Sequence, residues 1–486
     1  MMESLSKQYG PVCCLSLPFG NNMVIVSGYE AVNESLTCPG LGEDRPPYSQ
    51  DYPDELLNGQ GLLMSSGEQW KEHRIFSLTV LRGFGVGKRS FEDQIATESA
   101  YLMKEIDSRQ GQPFEPTVLL GNAVSNVICS VVFGKRFEYD DPEFKHLLHW
   151  LERILALDNL VSFLFLLMPK VSLYLSRIPF FPQGNIPSWR SLRSKLQDIV
   201  DEHRRTFDND NMRDYIDVYL SEMKRKNEQG IQTYLSDVEL RAVIQDFFVA
   251  GTETTSTTLR WALLYMIKFP DVQKRVQEEI DSVVGRDRLP RLSDKPDLPY
   301  TQAVIHEIQR FASIVFLSFR YAKHDTEFLD FTIPEGSVIQ NNLHSATRAA
   351  SVWEDPDMFK PERFLDDKGQ VVKPSQHIVF AAGKRACLGE QLARMELFIF
   401  YTHLMHRFSF KKVTEGESLN IEPNPGFGKR ACLGEQLARM ELFIFYTHLM
   451  HRFSFKKVTE GESLNIEPNP GFALTPYSFN TCAYVR

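Results

Sequence analysis

The segment FAAGKRACLG (residues 380–389) is the most informative stretch of the chain, and it leads directly into the helical pattern LGEQLARMELFIF. It carries one cysteine, Cys387. Gly383 and Gly389 allow backbone conformations and close approaches that a Cβ atom would block. The positive end of the following helix and the nearby Arg385 favour an anionic sulfur. The segment therefore predicts a thiolate ligand at Cys387, and the alternative interpretation is a buried, inert cysteine.

A second informative segment lies between Ser236 and Pro270. A serine followed three residues later by Glu239 is a helix start signal, so we predict one helix of about 32 residues that is apolar around most of its circumference. Such a helix belongs in the centre of a large protein. In its middle, AGTETT places Glu253 beside Thr254, an acid and an alcohol that can relay protons in a dry site. Alternatively, these threonines only bond to backbone carbonyls of the preceding turn.

Together the two segments resemble the cytochrome P450 family. The haem-binding signature of that family, FxxGxRxCxG, is matched here by Phe380, Gly383, Arg385, Cys387 and Gly389. The resemblance implies haem b (iron protoporphyrin IX) as the cofactor, Cys387 as the iron ligand, and Glu253 with Thr254 in dioxygen activation. Stretches such as VVFGKRFEYDDPEF look like vertebrate family 2, and most like subfamily J.

A charge cluster follows from the same resemblance. In HEIQR, Glu307 and Arg310 lie three residues apart on one helical face, close enough to pair. The family joins this pair to an arginine of PERF, here Arg363, in a buried structural cluster on the haem side. The alternative is a solvated ion pair.

Haem propionates are anions that need hydrogen-bond donors. The family supplies them from a WxxxR helix, matched here by Trp70 and Arg74. Arg320 and Arg385 match two further propionate positions. For each of these arginines, the alternative is an ordinary surface residue.

Apolar segments near these motifs predict a pocket for hydrophobic substrates. They precede AGTETT, follow HEIQR and recur in the tail. The predicted pocket residues are Phe247, Phe248, Ala250, Ile314, Val315, Phe316, Leu317 and Leu474. The alternative at each position is a simple core residue.

Composition and patterning indicate one large unit over residues 1–486. The chain is 43% hydrophobic and 24% charged, and its net charge of −9 disfavours nucleic acid as a partner. Since no run of about 18 apolar residues is present, we expect a chain without the N-terminal anchor of the family. We predict a mainly α fold with a small β portion, the cytochrome P450 fold, in which the long central helix crosses the haem.

One segment is repeated without a single change: residues 428–472 duplicate residues 383–427. Diverged structural repeats do not look like this, so we interpret the second copy as a looped-out segment or a gene-model artefact. It offers a second cysteine, Cys432. Because Pro425 takes the place that Phe380 holds in the first copy, we favour Cys387 as the ligand.

The resemblance implies an NADPH-reductase-dependent monooxygenase that inserts one oxygen atom from O2 into hydrophobic substrates by hydroxylation or epoxidation. Fatty acids such as arachidonate, steroids and xenobiotics are the implied substrates. NADPH-cytochrome P450 reductase and cytochrome b5 are the implied partners, with peripheral contact at the cytoplasmic face of the endoplasmic reticulum membrane. The alternatives are a haem-thiolate isomerase or dehydratase, and a non-catalytic haem-binding remnant.

Overall fold

Helices form most of this structure, and short strands form a smaller part. The computed structural model describes residues 2–16, 22–46, 59–88, 91–155, 186–412, 423–424, 475–476 and 481–485. The α-helices in these ranges are α1 (Met2–Tyr9), α2 (Tyr29–Thr37), α3 (Gly67–Gly83), α4 (Glu92–Asp107), α5 (Thr117–Val132), α6 (Pro142–Leu155), α7 (Ile186–Thr206), α8 (Tyr215–Glu228), α9 (Asp237–Lys268), α10 (Pro270–Val284), α11 (Pro299–Ala312), α12 (Leu343–Thr347) and α13 (Glu390–Arg407). Two 3₁₀ helices span Leu292–Asp297 and Pro361–Phe364.

The strands form one mixed sheet and three antiparallel pairs. They are β1 (Val12–Ser16), β2 (Asn22–Val26), β3 (Leu317–Tyr321), β4 (Thr326–Phe328), β5 (Phe331–Ile333), β6 (Val338–Asn342), β7 (Phe408–Lys412), β8 (Pro423–Asn424), β9 (Thr475–Pro476) and β10 (Thr481–Val485). The mixed sheet has the order β1-β2-β6-β3, with β2 parallel to β6. The remaining pairs are β4 with β5, β7 with β10, and β8 with β9. The mainly α fold with a small β portion is therefore confirmed.

Helix α9 runs through the core as the predicted 32-residue helix. The Ser236 Oγ atom accepts a hydrogen bond from the Glu239 backbone N–H at 3.3 Å, and the helix ends at Lys268, before Pro270. The expected capping box is only half formed, because the Ser236 backbone N–H donates to the Tyr219 hydroxyl at 3.2 Å rather than to the Glu239 carboxylate.

The middle of α9 packs closely against α5. A Cβ atom at Gly251 would lie 2.5 Å from the Ile128 Cδ1 atom, so this glycine gives α5 the room to approach. The Thr252 hydroxyl also donates to the Ser125 hydroxyl at 3.1 Å between the same helices. Helix α9 continues without a break through AGTETT.

The strands on either side of the second copy pair with each other. Strands β7 and β8 lie in the first copy, and strands β9 and β10 follow the second copy. Strand β7 pairs with β10, and β8 pairs with β9. The chain therefore leaves and re-enters this part of the fold at one place. That geometry suits a looped-out segment at residues 428–472, which themselves lie outside the described residues. The looped-out interpretation stays a prediction.

Deleting one copy tests this interpretation. Because the copies are identical, removing residues 383–427 or 428–472 gives the same shorter chain. We expect that chain to fold and bind haem like the full-length protein, since each doubling of loop length changes closure entropy by only ~0.6 kcal/mol. Circular dichroism and haem absorbance provide the measurement. A deletion variant that no longer folds would show that both copies are structural.

Candidate functional site

Cys387 lies in the tight loop that precedes α13. Its backbone N–H donates to the Phe380 carbonyl at 2.9 Å, and the Ala386 N–H donates to the Gly383 carbonyl at 3.1 Å. Gly383 has a φ of +72°, and a Cβ atom there would collide with the Leu36 carbonyl oxygen in α2. Only glycine meets both conditions. The loop is therefore seated directly on the end of α2.

The surroundings of the Cys387 thiol only partly favour its anion. Burial and the Glu390 charge raise the pKa of the thiol. A hydrogen bond from the Gly389 N–H lowers this pKa. The Arg74 and Arg394 charges also lower the pKa. The net effect is a thiol pKa above its ordinary value, and coordination to a metal ion would lower it.

Arg385 does not stabilise the sulfur as predicted, because its side chain is directed elsewhere. The guanidinium carbon lies 4.0 Å from the centroid of the Trp70 ring, a cation–π contact. Its donors reach the carbonyls of Glu43 at 2.7 Å and Ser65 at 2.5 Å. Arg74, one turn after Trp70, donates to the carbonyl of Ala386 at 2.8 Å, beside the cysteine. The structure thus brings Trp70, Arg74 and Arg385 together.

Two more arginines, Arg320 and Arg45, lie with this group. The sequence predicted Arg320 but not Arg45. Arg320 is buried and donates to the Phe319 carbonyl at 2.8 Å, and Arg45 donates to the same oxygen. Arg45 also donates to the Leu63 carbonyl at 2.7 Å. Burial lowers the pKa of Arg45 to about 10, and burial with the charges of Arg45 and Arg385 lowers the pKa of Arg320 well below its ordinary value. No local motif marks Arg45, because only the fold brings it here.

The donor set of this site fits haem. Among the described residues, no carboxylate accepts a hydrogen bond from Arg45, Arg74, Arg320 or Arg385, whose donors reach carbonyl oxygens and the Ser318 hydroxyl. Buried positive charge is costly unless it is paired and hydrogen-bonded to an anion. The charges of Asp246, Asp44 and Glu43 act on Arg45 and Arg385 from nearby, and two propionates would add direct ion pairs. Protein surrounds the Cys387 thiol closely enough to raise its pKa, yet leaves the side chain accessible to a ligand.

Carboxylates of α9 hold the loop that supports the arginines, a second feature that the sequence did not reveal. The Asp246 carboxylate accepts from the N–H groups of Leu62 at 2.6 Å and Leu63 at 2.9 Å, and Glu239 accepts from the Gly61 N–H at 2.9 Å. Burial raises the pKa of Asp246 to about 7. The carbonyls of this same loop accept from two of the arginines, so α9 positions them indirectly.

The predicted proton-relay pair lies in the middle of α9. The Thr254 hydroxyl donates to the Ala250 carbonyl at 2.8 Å, which is the back-bonding that the alternative interpretation expects. The Glu253 carboxylate accepts from the Thr257 hydroxyl at 2.9 Å. Burial raises the pKa of Glu253, although Thr257 and Arg260 oppose this increase. Glu253 therefore holds its proton to a higher pH than a solvated glutamate.

The three members of the predicted charge cluster meet in the structure. Arg310 donates to both carboxylate oxygens of Glu307, at 2.7 and 2.8 Å, and Arg363 donates to one of them at 3.3 Å. The Lys360 backbone N–H adds a bond at 2.8 Å. Glu307 and Arg310 are fully buried. Arg310 also donates to three backbone carbonyls, those of Thr347, Pro356 and Met358.

The predicted pocket residues differ in their exposure. Ala250 is exposed although most of α9 around it is buried, and Ile314, Val315 and Leu317 are half-buried. These four positions can contact a ligand. Phe316 is buried.

Two of the predicted pocket residues pack on protein instead. Phe248 is fully buried, with its ring centroid 6.1 Å from that of Phe133. Phe248 is thus a core residue in this structure, and its place in a substrate pocket stays a prediction. Phe247 is half-buried and meets Tyr215 edge-on at 5.0 Å. Leu474 and Cys432 lie outside the described residues.

Comparisons with known proteins agree with this site. The Cytochrome P450 family model matches residues 1–427 and again residues 425–483, so the repeat produces two overlapping matches. The chain is 42% identical to Cytochrome P450 2J3 of Rattus norvegicus over 84% of this chain and 81% of that relative. It is 40% identical to Cytochrome P450 2J2 of Homo sapiens over 83% of this chain and 80% of the relative, and 41% identical to Cytochrome P450 2D10 of Mus musculus over 84% and 81%.

The fold, the cysteine loop and these relatives define a haem-thiolate oxidoreductase. The chain belongs to the cytochrome P450 family. Its resemblance to family 2, with subfamily J among the most similar members, is confirmed. Within the described part of the chain, none of the helices has the length and apolar character needed to span a bilayer.

Gly383→Ala tests the seating of the cysteine loop. The variant combines left-handed backbone strain of ~1–2 kcal/mol with a collision against the Leu36 carbonyl, so we expect loss of most bound haem. Gly369→Ala is the matched control, because Gly369 has a φ of +73° but open space around its Cα atom. Haem content per chain is the measurement. Equal haem loss in both variants would mean that strain alone, and not the contact with α2, matters.

Glu307→Ala tests the charge cluster. Removing this carboxylate leaves Arg310 buried without its counter-charge, and we expect a loss of ~3–5 kcal/mol of stability together with loss of haem. Glu354→Ala is the control, because the Glu354 ion pair with Lys360 is exposed and such pairs contribute at most ~1 kcal/mol. Thermal unfolding and haem absorbance report the outcome. Full haem retention in Glu307→Ala would refute a bracing role.

Proposed function

We propose that this chain is a monooxygenase that inserts one oxygen atom from O2 into hydrophobic substrates, with electrons supplied by NADPH through a reductase. The observation that carries the proposal is the accessible Cys387 thiol at the start of α13, beside arginines whose hydrogen bonds, among the described residues, go to carbonyl and hydroxyl oxygens. A thiol and propionate-binding donors in one site suit haem b. Haem, when bound, supplies the activation of dioxygen.

The protein residues would hold the cofactor from two directions. Cys387 would ligate the iron, and Phe380, Gly383 and Gly389 would shape its loop. On the other side, the guanidinium groups would bind the propionates, with Trp70 stacked beneath Arg385. Charge-assisted bonds of this kind are stronger than neutral ones. Arg45 would act with the predicted Arg74, Arg320 and Arg385.

Proton delivery would come from the middle of α9. Because burial raises the pKa of Glu253, this carboxyl group holds its proton to a higher pH than a solvated glutamate does and can release it to a neighbouring acceptor. The Thr254 hydroxyl, now bonded to the Ala250 carbonyl, would turn to receive it. The exposed Ala250 on the same helix leaves space beside both groups.

The substrates would be apolar molecules such as fatty acids, including arachidonate, steroids or xenobiotics. The half-buried Ile314, Val315 and Leu317 and the exposed Ala250 offer an apolar wall. Apolar pocket walls select such ligands by excluding water. Hydroxylation and epoxidation are the reactions that these substrates would undergo.

The electron donor would be NADPH-cytochrome P450 reductase, with cytochrome b5 as a second partner. Lys71 and Lys384 are exposed, and Arg394 lies one turn into α13. Such basic side chains attract an acidic protein surface to the side of the cysteine loop. We place the enzyme at the cytoplasmic face of the endoplasmic reticulum membrane, with peripheral contact.

The repeated segment provides a control for the iron ligand, because each copy carries one cysteine. In Cys387→Ala we expect loss of the red-shifted thiolate band in the carbon monoxide difference spectrum of the reduced protein, because no sulfur remains beside the arginines. Cys432→Ala, the identical change in the second copy, should keep the band. A band that disappears only in Cys432→Ala would assign the haem to the second copy.

Turnover separates the proposed reaction from its alternatives. The full chain is mixed with reductase, NADPH and arachidonate, and oxygenated products and NADPH consumption are measured. A monooxygenase consumes NADPH and incorporates label from ¹⁸O2 into product. Substrate conversion without NADPH would indicate an isomerase or dehydratase, and haem binding without turnover of any hydrophobic substrate would indicate a remnant.

A further inference from the structure

Glu396 is an acidic residue in a deeply buried stretch of α13. It lies in the second turn of the helix, between the buried Met395 and Leu397, and is 1% exposed. Helix α13 packs against α9. A carboxyl group in such a place is costly unless it is paired with a cation or keeps its proton. The partners of Glu396 therefore decide its protonation state.

Within the described part of the chain, no cation pairs with Glu396. Its Oε2 atom accepts a hydrogen bond from the Thr255 hydroxyl at 3.1 Å, and its Oε1 atom has no hydrogen-bond partner there. The equally buried Glu307, by contrast, pairs with Arg310 and Arg363. Burial raises the pKa of Glu396 to about 8, the Thr255 hydrogen bond opposes this increase, and no charge of the described residues contributes. Glu396 therefore keeps its proton at pH 7.

Thr255 directs its hydroxyl to a different helix than its neighbour Thr254 does. The Thr254 hydroxyl donates to the Ala250 carbonyl of α9 itself, whereas the Thr255 hydroxyl crosses to α13. Successive residues of a helix point about 100° apart, so one turn can face the predicted site with Thr254 and face α13 with Thr255. Thr255 is accordingly buried. The bond to Glu396 thus links the two helices at the turn that carries the predicted proton relay.

A second side-chain bond between the two helices lies further along α9. The Tyr401 hydroxyl donates to the Met266 sulfur at 3.0 Å. This sulfur is a weak acceptor, and it lies about three turns of α9 beyond Thr255. The bond from Thr255 to Glu396 is therefore the one that acts on the turn beside it.

We propose that Glu396 is a positioning residue for proton delivery. Its hydrogen bond to Thr255 holds one turn of α9 in register with α13. That turn carries Glu253 and Thr254, and α13 begins beside Cys387, so the bond fixes two sides of the site relative to each other. An ionised Glu396 would be a buried charge without a counter-charge, which favours separation of the helices and entry of water. The inference rests on the proposed function, because it concerns the same proton-delivery step.

Infrared spectroscopy of the haem-loaded full chain tests the protonation state of Glu396. We expect the C=O stretching band of a protonated carboxyl group at pH 7, which the unchanged chain loses as the pH rises through about 8. The band should be absent in Glu396→Gln. Glu441→Gln, the identical change in the second copy, is the control and should keep it. Identical carboxyl bands in the unchanged chain and in Glu396→Gln would overturn the inference.

The coupling of NADPH oxidation to product formation tests the positioning role. Thr255→Val keeps the shape of the side chain and removes its hydroxyl. We expect this variant to release about fivefold more hydrogen peroxide per product, the factor that corresponds to one lost hydrogen bond of ~1 kcal/mol. Thr402→Val is the matched control, because the Thr402 hydroxyl donates within α13, to the Phe398 carbonyl at 2.7 Å. Equal coupling in Thr255→Val and the unchanged chain would contradict the inference.

The pH profile of coupling separates positioning from a purely structural role. Product per NADPH should fall in the unchanged chain as the pH rises through about 8, because Glu396 then loses its proton. In Glu396→Gln the side chain is neutral at every pH, so coupling should stay at its value at pH 7. Parallel profiles in the two proteins would overturn the inference while leaving the proposed function intact. An unchanged chain that consumes no NADPH with any substrate would instead contradict the proposed function, and the positioning role with it.

Discussion

The contact between Gly383 and the carbonyl of Leu36 is the constraint on which the site depends. The loop that carries Cys387 has few internal bonds, and its position relative to α13 is fixed because a left-handed glycine lies directly on the end of α2. Without that contact the thiol would not be held beside Arg74 and the stacked Arg385. This backbone approach joins the cysteine loop to α2, which adjoins the small sheet.

The second constraint is electrostatic. Arg320 and Arg385 are buried and Arg45 is half-buried among carbonyl oxygens. Burial, and then the charges of neighbouring arginines, lowers the pKa values of Arg320 and Arg385. Propionates that pair with these arginines would offset the cost of burying their charges. Helix α9 supports the arginine group through Asp246 and the backbone of the loop at residues 61–63. The site is thus organised for its cofactor by one long helix that also carries Glu253 and Thr254.

Local patterns in the sequence predicted local features well. The helix between Ser236 and Pro270 has its predicted length. The meeting of Glu307 with Arg363 came from the family resemblance. Arg45 and Asp246 could not be found in this way, because their partners are far away in the chain. The prediction that Arg385 favours the anionic sulfur was wrong, because proximity in sequence did not set the direction of its side chain.

Extended X-ray absorption at the iron of the haem-loaded full chain tests the central claim most directly. One sulfur atom in the first coordination shell, retained in Cys432→Ser and lost in Cys387→Ser, is the result that this structure predicts. A first shell built only of nitrogen and oxygen in the unchanged chain would contradict it.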